Sequence, residues 1–209
     1  MRSPAEPGDA PRRIGVFGGT FDPPHVGHVS AARDVALALD LDEVVWMPAR
    51  RSPHKADAPG SPGRVRLLMV RAAIGSDPLF SASDLELQRP EPSYTVDTLR
   101  RLWRSTGGGE ADFFLIMGVD QFHRFGEWRS PDEIARLATI VVMDREGASL
   151  ASIEADDPVR GLRRVRVPVR RVDVSSTGVR AAVQRGEAFD QLVPPGVAAI
   201  IRSEGLYRV

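Results

Sequence analysis

Apolar runs along the chain predict strands that alternate with helices. Ile14 to Phe17 is a short apolar run that ends at two glycines, and Glu43 to Pro48 is a second run closed by proline. Between them, apolar residues at helical spacing predict a helix from about Pro24 to Asp40. A strand, a helix and a strand in this order indicate a βαβ unit with parallel strands and a right-handed crossover.

The same alternation continues to the end of the chain and predicts a Rossmann-like α/β fold. Residues 49–63 hold proline, glycine, serine and charges without periodicity, which indicates a loop. We therefore expect one domain over residues 12–209, a doubly wound parallel sheet with helices on both faces. The polar, proline-rich residues 1–11 indicate a disordered tail. The remaining predicted helices are Arg64 to Ile74, Thr95 to Arg104, Thr177 to Arg185 and Gly196 to Ser203, and the remaining predicted strands are Asp112 to Met117, Thr139 to Met143 and Arg170 to Val174.

Composition narrows the classes of function. The chain has 209 residues, 42% of them hydrophobic, enough for one substantial core. A net charge of zero indicates no broad basic surface for nucleic acid, and the arginine-rich residues 160–171 lack the interleaved aromatic side chains of a nucleic-acid site. No run approaches the roughly 18–20 apolar residues that a membrane span requires. The absence of cysteine excludes disulfides and thiolate chemistry, and a cytosolic location is the default expectation.

The segment after the first strand, Gly18 to His28, has the chemistry of a phosphate-binding loop. Its glycines let the backbone approach a ligand closely, and Gly27 is predicted to leave room for a bulky group. His25 and His28 are three residues apart, so they lie on one face of a helical turn. A helix N-terminus attracts phosphate, and two imidazoles would add donors at the same place. The spacing fits a polyphosphate better than zinc, for which histidines four residues apart are typical.

A second candidate loop precedes the helix near the C-terminus. Ser175, Ser176 and Thr177 follow a predicted strand, and their hydroxyl groups could cap the helix or contact phosphate oxygens. Arg180 lies three residues beyond Thr177 on the same face and could supply a forked cationic contact. Taken alone, this string fits an ordinary helix cap equally well.

Together the two segments resemble the HxGH nucleotidylyltransferase superfamily, in its nicotinate-mononucleotide adenylyltransferase form. Gly-Gly-Thr-Phe-Asp-Pro-Pro-His-x-Gly-His is similar to the first signature, and Val-Ser-Ser-Thr-x-x-Arg is similar to the second. The resemblance implies that His28 stabilises the α-phosphate in the transition state, His25 holds the triphosphate and Arg180 stabilises the departing pyrophosphate. It also implies ATP contacts for Gly18, Gly19, Thr20, Phe21, Ser175, Ser176 and Thr177.

Other segments resemble the nicotinate branch in particular, and the resemblance extends from residue 13 to about residue 208. Pro92 to Leu99 matches a P-S-Y-T-x-x-T-L segment, which implies that Tyr94 and Thr95 hold the acceptor's carboxylate at a helix start. Gly118 and Asp120 match a G-x-D motif for the ribose of ATP. Trp128 falls where the family has an aromatic that stacks on the pyridine ring. Lys55, the chain's single lysine, lies in a Pro-His-Lys loop that approaches the phosphates in the family.

The implied reaction is adenylyl transfer from ATP to nicotinate mononucleotide, giving nicotinate adenine dinucleotide and pyrophosphate in NAD biosynthesis. Mg²⁺ would be held mainly by the ATP phosphates, with no protein metal site. A homo-oligomer is possible, and no nucleic-acid or membrane partner is expected. Two alternatives stay open: an adenylyltransferase for nicotinamide mononucleotide or phosphopantetheine, and a nucleotide sensor that binds without turnover.

Overall fold

A computed structural model describes residues 10–50, 60–88, 93–145, 158–159 and 161–208. Lys55 and most of the predicted N-terminal tail lie outside these ranges. The strands are β1 (Arg12–Gly19), β2 (Glu43–Pro48), β3 (Phe80–Ala82), β4 (Ala111–Gly118), β5 (Ala138–Arg145) and β6 (Arg164–Val169). The helices are α1 (Val26–Ala38), α2 (Gly63–Ile74), α3 (Thr95–Ser105), α4 (Val119–His123), α5 (Pro131–Leu137), α6 (Ser176–Gln184) and α7 (Pro195–Ser203).

The six strands form one sheet in the order β3-β2-β1-β4-β5-β6, and every pairing between neighbours is parallel. This confirms the predicted doubly wound α/β fold. The central strands are almost continuously apolar because helices cover both of their faces. On one face the core contains residues of α3 and α5, and on the other it contains residues of α1 and α2. A third apolar cluster joins α2, α6 and α7 beside the sheet.

The strand order reverses between β1 and β4, which places a crevice at their carboxyl ends. From β1 the chain moves outward through β2 and β3, then returns to β4 and moves in the other direction. In open parallel sheets the ligand binds at this switch point. Gly19 ends β1 and Gly118 ends β4, so both glycine-containing segments of the sequence lie at the crevice.

The prediction for the last strand was wrong in position. The strand occupies Arg164–Val169, whereas the residues predicted as a strand, 170–174, form no regular secondary structure. Arginines alternate with apolar residues in β6, so it lacks the apolar run of a central strand; Val167 and Val169 point into the core. Pro168 is tolerated because β6 is an edge strand, where a missing N–H costs little. The three-residue β3 was not predicted at all.

Candidate active site

A cavity of about 360 Å³ occupies the crevice at the carboxyl ends of β1 and β4. Its walls include the last residues of both strands, the start of α3 and the segment after α4. The lining includes the charged residues Glu86, Glu127 and Arg129 and the aromatic residues Phe17, Tyr94 and Trp128. The structure brings together seven of the predicted site residues on this cavity: Gly18, Gly19, Thr20, Tyr94, Thr95, Gly118 and Trp128.

His25 and His28 cap α1 by bonding to each other's backbone. His25 is the N-cap residue, and its Nδ1 accepts from the His28 amide at 3.3 Å. In return, Nδ1 of His28 accepts from the His25 amide at 3.2 Å. The two rings stack with their centroids 3.6 Å apart. Because both Nδ1 atoms act as acceptors, each neutral imidazole carries its proton on Nε2 and presents that N–H as a donor.

The three glycines of the first loop have different surroundings. A Cβ on Gly18 would meet no protein atom within 4 Å, so this position is open toward the cavity it lines. A Cβ on Gly19 would lie 2.8 Å from the Phe21 ring. A Cβ on Gly27 would lie 3.1 Å from both Nδ1 of His25 and Cγ1 of Val174. Gly27 therefore accommodates packing within the protein, and the room that it was expected to leave for a ligand stays a prediction.

The second loop is hydrogen-bonded directly to the first. The Ser176 hydroxyl donates to the Pro23 carbonyl at 2.8 Å, and Nη1 of Arg180 donates to the Asp22 carbonyl at 2.8 Å. These bonds join residues more than 150 positions apart in sequence, as the resemblance implied for one shared site.

The hydroxyl groups of the second loop already have protein partners. Ser175 caps α6 by accepting from the Gly178 amide at 3.0 Å, and the Thr177 hydroxyl accepts from Nη2 of Arg180 at 3.2 Å. The capping role considered for this string is therefore present. Contact of these hydroxyl groups with ATP stays a prediction.

Behind the first loop lies a buried polar network that the sequence analysis missed. Asp22 is only 5% exposed; its carboxylate accepts from the Tyr207 hydroxyl at 2.6 Å and from the Ser61 amide at 3.0 Å. Burial, and then the bond to Asp22, raises the pKa of the Tyr207 phenol. The network ties the first loop to the segment around Tyr207. Its sequence signals were Asp22, which stands in the first signature, and the position of Tyr207 within the range that the resemblance covers.

Arg66 of α2 supports the same loop from the other side. It is 4% exposed and donates to three backbone carbonyls: Thr20 at 2.8 Å, Arg50 at 3.1 Å and Ser61 at 3.1 Å. Burial lowers the pKa of its guanidinium, partly offset by the negative charge of Asp22. One side chain thus fixes the phosphate loop to the residues on both sides of the range 51–59. In sequence it is one arginine among many, with nothing to distinguish it.

The half of the cavity where the acceptor is predicted to bind is lined by Tyr94, Thr95, Trp128 and Arg129. Tyr94 is the N-cap residue of α3, so the first backbone amides of that helix adjoin the cavity. Trp128 packs against the core, and the centroid of its ring lies 5.6 Å from that of Phe125. Its buried Nε1 has no hydrogen-bond partner among the described residues. The guanidinium of Arg129 lies 4.5 Å from the centroid of the Tyr94 ring. Sequence reasoning identified the first three of these residues but not Arg129.

Two predicted ATP-contact residues, Phe21 and Asp120, do not line the cavity. The same holds for the predicted residues of the two loops beside it, His25, His28, Ser175, Ser176, Thr177 and Arg180. Phe21 has a left-handed φ of 50° and a buried ring that contacts Phe17 and Trp46, so it supports the loop from within the core. Asp120 is exposed in α4 and does not line the cavity. Lys55 lies outside the described residues. The predicted ATP contacts of these three residues remain predictions.

The described ranges also bear on two other classes of site. They contain no group of three or more histidine and acidic side chains placed to hold a metal ion. No helix within them has the length and apolar character needed to cross a bilayer.

Comparisons with known proteins agree with this geometry. The profile of the Cytidylyltransferase-like family matches residues 16–182. The chain is 39% identical to the "Probable nicotinate-nucleotide adenylyltransferase" of Synechococcus sp. (strain JA-3-3Ab), covering 98% of each chain. It is 38% identical to the protein of the same name from Shouchella clausii (strain KSM-K16), over 94% of this chain and 97% of that one.

Among solved structures, the fold is similar to that of Plasmodium falciparum nicotinic acid mononucleotide adenylyltransferase complexed with NaAD. The TM-score is 0.75 with 15% sequence identity, covering 94% of this chain and 97% of that chain. At this identity the likeness supports the fold.

Proposed function

Since the chain belongs to the Cytidylyltransferase-like family, and within it to the nicotinate-nucleotide adenylyltransferases, we propose that it transfers the adenylyl group of ATP to nicotinate mononucleotide. The products are nicotinate adenine dinucleotide and pyrophosphate, a step of NAD biosynthesis. The observation that carries this function is the junction of the two signature loops at the sheet's switch point, where Arg180 and Ser176 bond to the backbone of the first loop.

The reaction needs positioning and charge neutralisation more than acid–base chemistry. The 5′-phosphate of the acceptor attacks the α-phosphorus of ATP in line, and the bond to the bridging oxygen of pyrophosphate breaks. The nucleophile is already an anion, so no strong general base is required. Catalysis of phosphoryl-type transfer depends on alignment and on donors aimed at the developing charge.

In this proposal His28 donates from Nε2 to the α-phosphate, and His25 donates in the same way to the triphosphate. The reciprocal cap supports these roles, because both Nδ1 atoms are held as acceptors and each ring keeps its proton on the opposite side. Arg180 is anchored by one amino group to the Asp22 carbonyl, and its positive charge would favour the departing pyrophosphate.

Mg²⁺ is part of the proposal as a cofactor carried by the nucleotide. The two signature loops offer imidazole and hydroxyl groups and one guanidinium, without a carboxylate cluster among the described residues. This donor set fits an ion that is coordinated by the phosphate oxygens, whose negative charge it neutralises. No residue of this chain is assigned to the ion.

The test is pyrophosphate release with ATP and Mg²⁺ in three parallel reactions, with nicotinate mononucleotide, nicotinamide mononucleotide or phosphopantetheine as acceptor. We expect strong preference for the acid. Release with phosphopantetheine alone would show that phosphopantetheine is the acceptor. Tight ATP binding without release in any reaction would support a nucleotide sensor instead.

A further inference from the structure

We propose that Arg129 determines the preference for an acidic acceptor, because its guanidinium binds the carboxylate on the pyridine ring. This inference rests on the proposed function, since it concerns a contact inside the acceptor half of the same cavity. It adds a side-chain cation to the backbone amides that the sequence pattern suggested for this carboxylate.

Arg129 is held at the cavity by its neighbours in sequence and in space. It follows Trp128, and the left-handed Ser130 next to it, with a φ of 54°, turns the chain into α5. Its guanidinium lies over the Tyr94 ring at 4.5 Å, a distance typical of a cation–π contact. Because Tyr94 is the N-cap residue of α3, this contact places the positive charge beside the start of that helix.

The charges around the cavity make Arg129 distinctive. Among the lining residues that the structure describes, it alone is basic. The carboxylate of Glu127 is paired with Arg124 at 3.0 Å, and that of Glu86 accepts from the Thr98 hydroxyl at 2.8 Å. No described residue accepts a hydrogen bond from Arg129, so its five N–H donors can face a ligand.

The start of α3 supplies donors on the other side of the same space. The first amides of a helix lack partners within the helix, and the helix dipole favours negative charge there. The acidic residue of this first turn, Asp97, is paired with Arg100 at 3.0 Å. A carboxylate between α3 and Arg129 would therefore be surrounded by donors.

The same surroundings disfavour an amide. A carboxamide offers one acceptor oxygen and an NH₂ group, whose donors would face the donors of the protein. The Arg129 contact is thus expected to change the ratio of kcat/KM between the acid and the amide substrate, whereas packing alone would change both values equally.

The experiment compares steady-state pyrophosphate release for nicotinate mononucleotide and nicotinamide mononucleotide at saturating ATP and Mg²⁺. The variants are Arg129→Gln, which removes the charge, and Arg129→Lys, which keeps the charge without the fork. The matched control is Arg101→Gln, which removes an exposed arginine of α3 that does not line the cavity. Thermal unfolding of all four proteins establishes that each is folded.

For Arg129→Gln we expect kcat/KM for the acid to fall about 10- to 100-fold, as for loss of a hydrogen bond to a charged group. The value for the amide should change less than about 3-fold. Arg129→Lys should give a kcat/KM for the acid between those of the parent and Arg129→Gln, and Arg101→Gln should behave as the parent protein. Equal losses for both acceptors, or none, in a folded variant would overturn the inference. Failure of the parent protein to use the acid would instead overturn the proposed function.

Discussion

The Tyr207 hydroxyl donates to Oδ1 of Asp22 at 2.6 Å, joining residues 185 positions apart in sequence. Asp22 belongs to the phosphate loop, and its backbone carbonyl also holds Arg180. Side chain and backbone of one residue therefore connect the C-terminal segment, the first loop and the second loop. This connection makes the C-terminal segment part of the active-site framework.

We predict that Tyr207→Phe destabilises the protein by about 1–3 kcal/mol, because it removes a donor from a buried carboxylate. Turnover should fall as well, since the phosphate loop loses one of its supports. Chemical denaturation and pyrophosphate release would measure the two effects. Ser203→Ala is the control: it removes a hydroxyl on the exposed end of α7 whose one hydrogen bond to a described residue is to the Ile200 carbonyl, so it should change neither. Parent-like stability of Tyr207→Phe would contradict the connection.

The same bond predicts a pH dependence at the alkaline end. Burial and the bond to Asp22 raise the pKa of Tyr207 above its ordinary value of 10.0, so the folded phenol keeps its proton while the unfolded phenol ionises. The folded state then binds more protons, and the free energy of unfolding falls as pH rises past 10. The difference in stability between the parent and Tyr207→Phe should be constant at lower pH and shrink above about pH 10. A difference that stays constant up to about pH 11.5 would count against the raised pKa.

Arg66→Met should be the most destabilising of these changes. The Arg66 side chain donates to three carbonyls. Loss of these donors should lower the free energy of unfolding by about 3–5 kcal/mol, within the range for breaking a buried polar network. Arg64→Met is the matched control, because Arg64 is exposed on the same helix; its effect should stay within about 0.5 kcal/mol. Similar unfolding midpoints for the two variants would show that the Arg66 bonds add little.

His28→Ala should keep the fold and lose turnover by about 10²–10³, the usual effect of removing one transition-state donor. It should also cost about 1 kcal/mol of stability, because the imidazole forms half of the reciprocal cap of α1. His123→Ala, an exposed histidine in α4, controls for loss of an imidazole. Full steady-state activity of His28→Ala would remove His28 from the proposed chemistry.

Substitution of two glycines should weaken ligand binding in the cavity without changing the stability of the fold. In Gly18→Ala and Gly118→Ala the new methyl group meets no protein atom within 4 Å, although both residues line the cavity. We expect parent-like melting temperatures with a raised KM for ATP or acceptor. Gly19→Ala provides the contrast, since its methyl group would lie 2.8 Å from the Phe21 ring and should lower stability. Unchanged KM values in the first two variants would place the ligand elsewhere.

The sequence predicted the fold class and most elements because the buried strands are apolar and the helices are periodic. It failed at β6, where arginines alternate with valines at the sheet edge, and it missed the three-residue β3 and the short helices α4 and α5. The two signature loops were found from local patterns and a resemblance. Arg66 and Tyr207 could not be connected to Asp22 in this way, because side chains distant in sequence meet only after the sheet and helices pack.

The contact between Asp22 and Tyr207 has a consequence for how the protein is made. A ribosome adds about 5–20 residues each second. The 185 positions between the two residues correspond to roughly 10–40 s of synthesis. During that interval the phosphate loop exists as nascent chain without the phenol that holds it. Under the proposed function, binding of ATP by the nascent chain should accordingly strengthen only after Tyr207 has left the exit tunnel.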